Sequence, residues 1–355
     1  MKTLIFLGAG ASASDGVPVQ SAILREYFKT SETSDLHSTI KKELRNYFKK
    51  IFNIDVESSK LEEIEFPTFE EAIGMLDLAE IRNEAFKDFN MIGVESNSGQ
   101  IQRLRIFLIH AMATVIKEKA EHATWHRSLI KVLKSEDLIA NVSFITTNYD
   151  ILIDNSLAEV MGSQFKPGTA IDYGVEFTNH EYWGLPDDEA INLYKLHGSL
   201  NWLHCSVCND LNITPFQKGA AQIADDPEGS KCRRCNTVQS PIIVPPTFYK
   251  NISNIYLATI WKKVEDLLRD IDHIIFCGYS FPEADTHIKY LLKRAETNRE
   301  NPGFDVTVLN WHRGKTEEEE KIEKQRYERF FLRPVKFKKK TFENFAAAPE
   351  EVIKT

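Results

Sequence analysis

The sequence predicts an α/β fold, a Rossmann-like, mostly parallel sheet with helices on both faces, plus a helical insertion and a small zinc-ribbon-like module. Three observations predict it. An apolar run at residues 2–7 (KTLIFL) leads straight into Gly8-Ala9-Gly10. Short apolar runs recur at 142–146, 191–196, 242–244, 271–277 and 306–310, with helical patterns after several of them, as a chain of strand–helix–strand units requires. Two Cys-x-x-Cys pairs share one late stretch.

In chain order, residues 2–7 read as a buried strand and 8–18 as a glycine-rich turn. From about 19 to 138 the pattern turns helical: Ile23, Tyr27 and Phe28, then Ile40, Leu44, Tyr47, Phe48 and Ile51, recur at helix spacing. Residues 69–78 and 101–116 read as further amphipathic helices, while 57–65, closed by Pro67, and 90–98 read as loops. After the strand at 142–146, a cysteine-bearing loop at about 203–240 interrupts the alternation. Helices are expected at 261–268 and 286–295, a charged helix at 317–324 and a C-terminal helix over 342–352. The expected organisation is a domain over 1–312, with a helical insertion at about 20–140 and a zinc module at about 203–240, followed by an extension at 313–355 that is a candidate interface.

Length and composition fit this plan. A chain of 355 residues with 42% apolar and 27% charged residues can bury a sizeable core. A net charge of −8 argues against a chain that coats nucleic acid unaided, and no sequence-specific nucleic-acid binding is expected. The basic run at 336–340 (KFKKK) reads as an edge strand whose lysines discourage sheet pairing. The apolar start is too short for a secretory signal, and no stretch approaches a membrane span, so a cytoplasmic protein without a membrane partner is expected.

Cys205, Cys208, Cys232 and Cys235 form two Cys-x-x-Cys pairs separated by 23 residues. In a reducing compartment this spacing reads as a structural zinc site of four thiolates, closed to water. Cys277, within HIIFC, reads as a core residue. Gly8, Gly10 and Ala13 make Gly-x-Gly-x-x-Ala, a permitted variant of the dinucleotide fingerprint, whose glycines allow a tight turn and close approach of backbone N–H groups to a pyrophosphate. A dehydrogenase would place an Asp or Glu at the end of a second strand roughly 20 residues on, to hold the adenosine ribose. Residues 20–50 are helical instead, which counts against hydride transfer. Asn148 (in TTNYD) and His197 (in LHGS) each end a strand, and ligands of open α/β sheets gather at that edge.

GAGAS with Gly16-Val17-Pro18, then TTNYD, LHGS, the paired CxxC motifs, Gly278-Tyr279-Ser280 and Asn310 occur in an order that resembles the sirtuin family. GYSFPEADTHI and the helical insertion look like the bacterial sirtuin-like domains of antiphage defence. That resemblance implies an NAD⁺ hydrolase that depletes the dinucleotide. It also implies that Gly8, Ala9, Gly10 and Ser12 line the pyrophosphate, that Asn148 and Asp150 face the nicotinamide ribose, and that His197 is the catalytic histidine. Gly278 and Ser280 would contact the phosphate or adenosine side and Asn310 the adenosine ribose. By the same analogy the chain is a homo-oligomer that works with a HerA-like hexameric ATPase.

The departures weigh against protein deacylation. Val19-Gln20-Ser21 stands where deacylating sirtuins have Asp-Phe-Arg, and Thr147 stands where they have Gln. Pro245-Pro246-Thr247-Phe248 replaces the Phe-Gly-Glu segment that pairs with an acylated peptide, and two prolines remove two backbone donors. A deacylase and a non-catalytic NAD⁺ or ADP-ribose sensor are the alternatives; a sensor needs neither Asn148 nor His197. His122 and His126, four apart, lack a third metal ligand. Asp285 and His287 read as a helix start near the cleft.

Overall fold

Strand formation follows from runs with no polar face. Leu4 to Leu7, Phe144 and Ile145, and Ile274 to Cys277 are all buried, the pattern of strands covered on both sides. In a computed structural model, described at residues 1–32, 34–57, 60–91, 99–120, 123–162, 167–214, 230–244, 254–299, 303–311 and 315–354, these runs form one sheet. Its strands are β1 (Thr3–Leu7), β2 (Val142–Thr146), β3 (Ile171–Asp172), β4 (Ile191–Lys195), β8 (His273–Cys277), β9 (Asp305–Leu309) and β10 (Val335–Phe337). Their order is β10-β9-β8-β1-β2-β4-β3, and every pairing is parallel.

The chain steps outward from β1 in both directions, so the crevice opens at the carboxyl ends around the middle of the sheet. Phe6, Phe276 and Tyr279 pack their rings there, with Phe6 4.7 Å from Tyr279. Burying one such ring contributes about 1.5–3 kcal/mol.

The insertion expected at 20–140 folds as helices, most of them around a core of their own. These are α2 (Gln20–Lys29), α3 (Asp35–Phe52), α4 (Phe69–Arg82), α5 (Gln100–Lys119) and α6 (Thr124–Ser135), after the short α1 (Ala9–Ala13). Ends are set locally. Ser34 and Thr68 accept N–H groups at the starts of α3 and α4, and Asn53 and Asn83 close the same two helices in the left-handed conformation. The apolar stripes of α2 to α5 meet in a second core that also takes in Tyr149, Leu152, Leu200 and Ile243. The helical block therefore rests on the strand ends that carry Asn148 and His197, and Arg105 pins it by donating to Ile243 O at 3.2 Å.

A second sheet, antiparallel and ordered β6-β5-β7, holds the cysteines: β5 (Gly198–His204), β6 (Leu211–Ile213) and β7 (Ser240–Ile243). The remaining described helices are α7 (Leu152–Met161), α8 (His180–Trp183), α9 (Ile255–Asp270), α10 (Thr286–Thr297), α11 (Glu317–Glu328), α12 (Phe342–Ala347) and α13 (Glu350–Ile353).

Two features of the C-terminal part differ from expectation or sharpen it. The single helix expected over 342–352 is two, because Pro349 lacks the N–H a continuing helix needs and Ala348 leaves the helical conformation before it. The basic run begins on β10, at the outer edge of the sheet, and continues past it; Lys336 pairs with Asp305, Lys339 with Glu320 and Lys340 with Glu351. No helix among the described residues is long and apolar enough to cross a membrane.

Candidate active site

Five sequence-predicted positions follow directly on strand ends: Gly8 after β1, Asn148 just beyond β2, His197 just beyond β4, Gly278 after β8 and Asn310 after β9. The turns after β1 and β8 cross at van der Waals limit. Gly10 N–H donates to Gly278 O at 2.9 Å. A Cβ on Gly10 would lie 2.8 Å from the Gly278 Cα, and Gly278 sits at φ +62, where a Cβ would meet Ala11 N at 2.2 Å. Only glycine fits either place.

Asn148 is held by its amide, which donates to Gly8 O at 2.9 Å and to Ser12 Oγ at 2.8 Å. Its carbonyl oxygen is the group left for a ligand. Ser12 in turn donates to Asp150 Oδ2 at 2.7 Å. The opposite loop is stitched to this one. Leu196 N–H reaches Thr146 O at 3.1 Å, Leu200 N–H reaches Tyr149 O at 3.0 Å, and Val244 N–H reaches His197 O at 3.0 Å. Tyr149 donates to Val244 O at 3.0 Å. Burial, with the Glu70 and Asp285 carboxylates nearby, raises its phenol well above the usual range, so it stays a donor.

Behind both loops lies a buried ion pair. Lys195, the last residue of β4, is 0% exposed and donates to Asp154 Oδ2 at 3.0 Å and to Asp150 O at 2.5 Å. Tyr173 completes the set by donating to Asp154 Oδ1 at 2.7 Å. A lysine is tolerated in this interior because its charge is paired and hydrogen-bonded.

The result is a cleft of about 710 Å³ lined by Asn148 and His197 together with Ala9, Gly10, Gly278, Ser280 and Asn310. Its size suits a dinucleotide-sized ligand. Gly8, Ser12 and Asp150 stand behind the lining and brace it. A second hollow of about 930 Å³ adjoins it, sharing Gly10, Val19, Gly278 and Asn310 and walled by Trp125, Trp311 and Phe342.

The donors of the glycine turn are largely used within the protein, since Gly8 and Ala11 N–H donate to Cys277 O and Gly8 O. The turn's tail is fixed as well. Asp15 accepts from the N–H groups of Trp125 and His126 and from His126 Nδ1 at 2.6 Å. Burial works against its charge, but those three donors outweigh burial and hold the carboxyl below its ordinary range. His126 is thus a buried partner of Asp15 rather than half of a histidine pair; His122 lies outside the described residues.

Several lining residues carry no motif. Thr68 and Glu70, at the start of α4, and Gln20 and Ser21, at the start of α2, wall the cleft from the helical block. Lys315, Glu323 and Arg326 wall the opposite end. Asp285 is buried, lines the cleft and accepts from Tyr279 Oη at 2.6 Å. The sequence signal for Glu70 is the Thr68-x-x-Glu71 cap, which places residue 70 in a first helical turn; nothing in the sequence points to Glu323.

The four cysteine sulfurs lie within 4.8 Å of one another. A tetrahedron with metal–sulfur bonds of about 2.3 Å has edges of about 3.8 Å, and Cys205 and Cys235 are 3.4 Å apart. The donor set therefore fits a thiolate-bound metal. Residues 215–229, within the module, and Pro245 to Phe248 lie outside the described residues.

A family model for the SIR2-like domain matches residues 142–331, more than half of the chain. The chain belongs to the SIR2-like domain family. The match spans the ends of β2, β4, β8 and β9, and so Asn148, His197, Gly278 and Asn310, while the glycine turn and the helical block precede it. Similar solved structures include Sir2Tm bound to a propionylated peptide, at 13% identity and a TM-score of 0.43 over 99% of this chain and 92% of that one. A Sir2–p53 peptide–NAD⁺ complex is 14% identical, with a TM-score of 0.43 over 99% and 92%. No curated protein matches. Gln20, Ser21, Thr68 and Glu70, which precede the matched region, line the same cleft as Asn148 and His197.

Proposed function

We propose that this chain hydrolyses NAD⁺ to ADP-ribose and nicotinamide. The observation that carries the reading is the convergence of the Asn148 amide and the His197 imidazole, distant in sequence, on one cleft. Nicotinamide leaves C1′ of the ribose with the electron pair of the glycosidic bond, and its cationic ring needs no strong acid. A water molecule adds to the oxocarbenium-like carbon. His197 accepts a proton from that water or from a ribose hydroxyl, and the Asn148 carbonyl orients whichever of the two gives it up. The walls supplied by α2 and α4 favour water as acceptor over a long peptide.

The resemblance extends the reading to an effector of bacterial antiphage defence, working in the cytoplasm as a homo-oligomer with a HerA-like ATPase. The test is purified protein with NAD⁺, following nicotinamide and ADP-ribose, with and without an acylated peptide. Equimolar products without peptide are expected. Release that requires the peptide would make the chain a deacylase, and no release in either arm, with NAD⁺ still bound, would make it a sensor.

Cys205, Cys208, Cys232 and Cys235 would hold a structural Zn²⁺ that clamps the small sheet. Elemental analysis is expected to find one zinc per chain, and Cys232→Ser to lose it with a fall in melting temperature, because metal binding is folding free energy here. A zinc-free native protein of undiminished stability would refute this.

A further inference from the structure

No strand among the described residues follows β1 at the distance where a dinucleotide fold places its ribose carboxylate, and Glu323, on α11, lines the same cleft. Asn310 Nδ2 donates to Tyr279 O at 3.3 Å and to Glu323 Oε1. Lys315 Nζ donates to Asn310 O at 2.7 Å and to Glu323 Oε2. All three residues line the cleft, and the Lys315 and Glu323 side chains are only 7% and 9% exposed.

Glu323 is fixed in place by the rest of α11. Tyr327, one turn further on, donates to Tyr279 O at 2.6 Å and stacks on Phe281 at 4.6 Å. Thr316 and Glu319 close a capping box at the start of the helix. A carboxylate accepts at about four lone-pair sites. Asn310 and Lys315 take one on each oxygen, which leaves one on each.

We propose that Glu323 is a specificity-determining residue that accepts the 2′- and 3′-hydroxyls of the adenosine ribose and rejects a 2′-phosphate. The proposal rests on the reading of this cleft as an NAD⁺ site with Asn310 at its adenosine end. The two free lone pairs match a vicinal diol, as strand-end carboxylates do in other dinucleotide folds. A 2′-phosphate carries a charge of about −1.5 to −2 and would be driven against a carboxylate whose own cation is already engaged. Lys315 and Glu323 together are neutral, and Arg326 at the same end donates to Ser280 O and is balanced in charge by Glu319, which lines the cleft too, so this end offers the phosphate no net attraction.

The experiment is calorimetric titration of the full chain with ADP-ribose and with its 2′-phosphate, then with NAD⁺ and NADP⁺. Wild type is expected to favour the unphosphorylated ligand of each pair by about 100-fold, the scale on which like charges in a partly buried site are separated. Glu323→Gln, nearly the same shape without the charge, is expected to shrink that ratio by about 10-fold or more. Equal binding of the two ligands by wild type overturns the proposal and needs no variant. An unchanged ratio in Glu323→Gln overturns it as well. So does tighter ADP-ribose binding by the variant, which would mark Glu323 as a plug of the empty site. Because ADP-ribose needs no turnover, failure of NAD⁺ hydrolysis sinks the hydrolase reading while this binding preference is still measured.

Discussion

Replacing His197 by Ala is expected to cut nicotinamide release by about 10²–10⁴-fold, the usual worth of a positioned general base. The residue is 2% exposed, yet it lines the cleft. The variant should keep its far-ultraviolet circular dichroism and still bind NAD⁺. Asn148→Ala should lose a similar factor for a different reason. It removes both the carbonyl offered to ligand and the two donor bonds that hold the turn after β1 against the loop after β2. Its KM should therefore rise along with the fall in kcat, whereas His197→Ala should act mainly on kcat. Turnover retained by both variants would remove the proposed chemistry.

Lys195→Met is expected to cost about 3–5 kcal/mol, because it leaves Asp154 charged in the interior without a cation. Urea unfolding followed by fluorescence reads the loss. Lys195→Met combined with Asp154→Leu should recover a good part of it, although Tyr173 then loses its acceptor. The single variant should also lower nicotinamide release, since Lys195 holds the Asp150 carbonyl beneath the Asn148 loop. Full stability in Lys195→Met would show that the pair contributes nothing net.

The strand ends were legible because each couples a short apolar run to a polar or glycine residue, and a parallel sheet puts all such ends on one edge. Gly10, Asn148, His197, Gly278 and Asn310 share a cleft for that reason. Ser12 was expected on the pyrophosphate and Asp150 on the nicotinamide ribose, but both stand behind the lining, joined by one hydrogen bond across 138 residues. Lys195 passed unmarked inside the apolar run 191–196, and its partner, on a helix 41 residues away, carried no signal either. Glu70 and Glu323 were hidden among many helical glutamates, since what distinguishes them is which helix face meets the cleft. The break at Pro349 was written in the sequence, because an interior proline ends a helix. The strands β5 and β6 were masked by the cysteines, whose spacing drew attention to metal rather than to pairing.

The crossing of Gly10 and Gly278 ties the floor of the cleft to the two strands at the middle of the sheet. Any side chain added there would prise apart a fully buried seam, so that floor cannot be retailored without loosening the scaffold. Divergence in ligand choice among proteins built this way is therefore confined to the rim, where a helix can exchange one surface residue for another and leave the strands undisturbed.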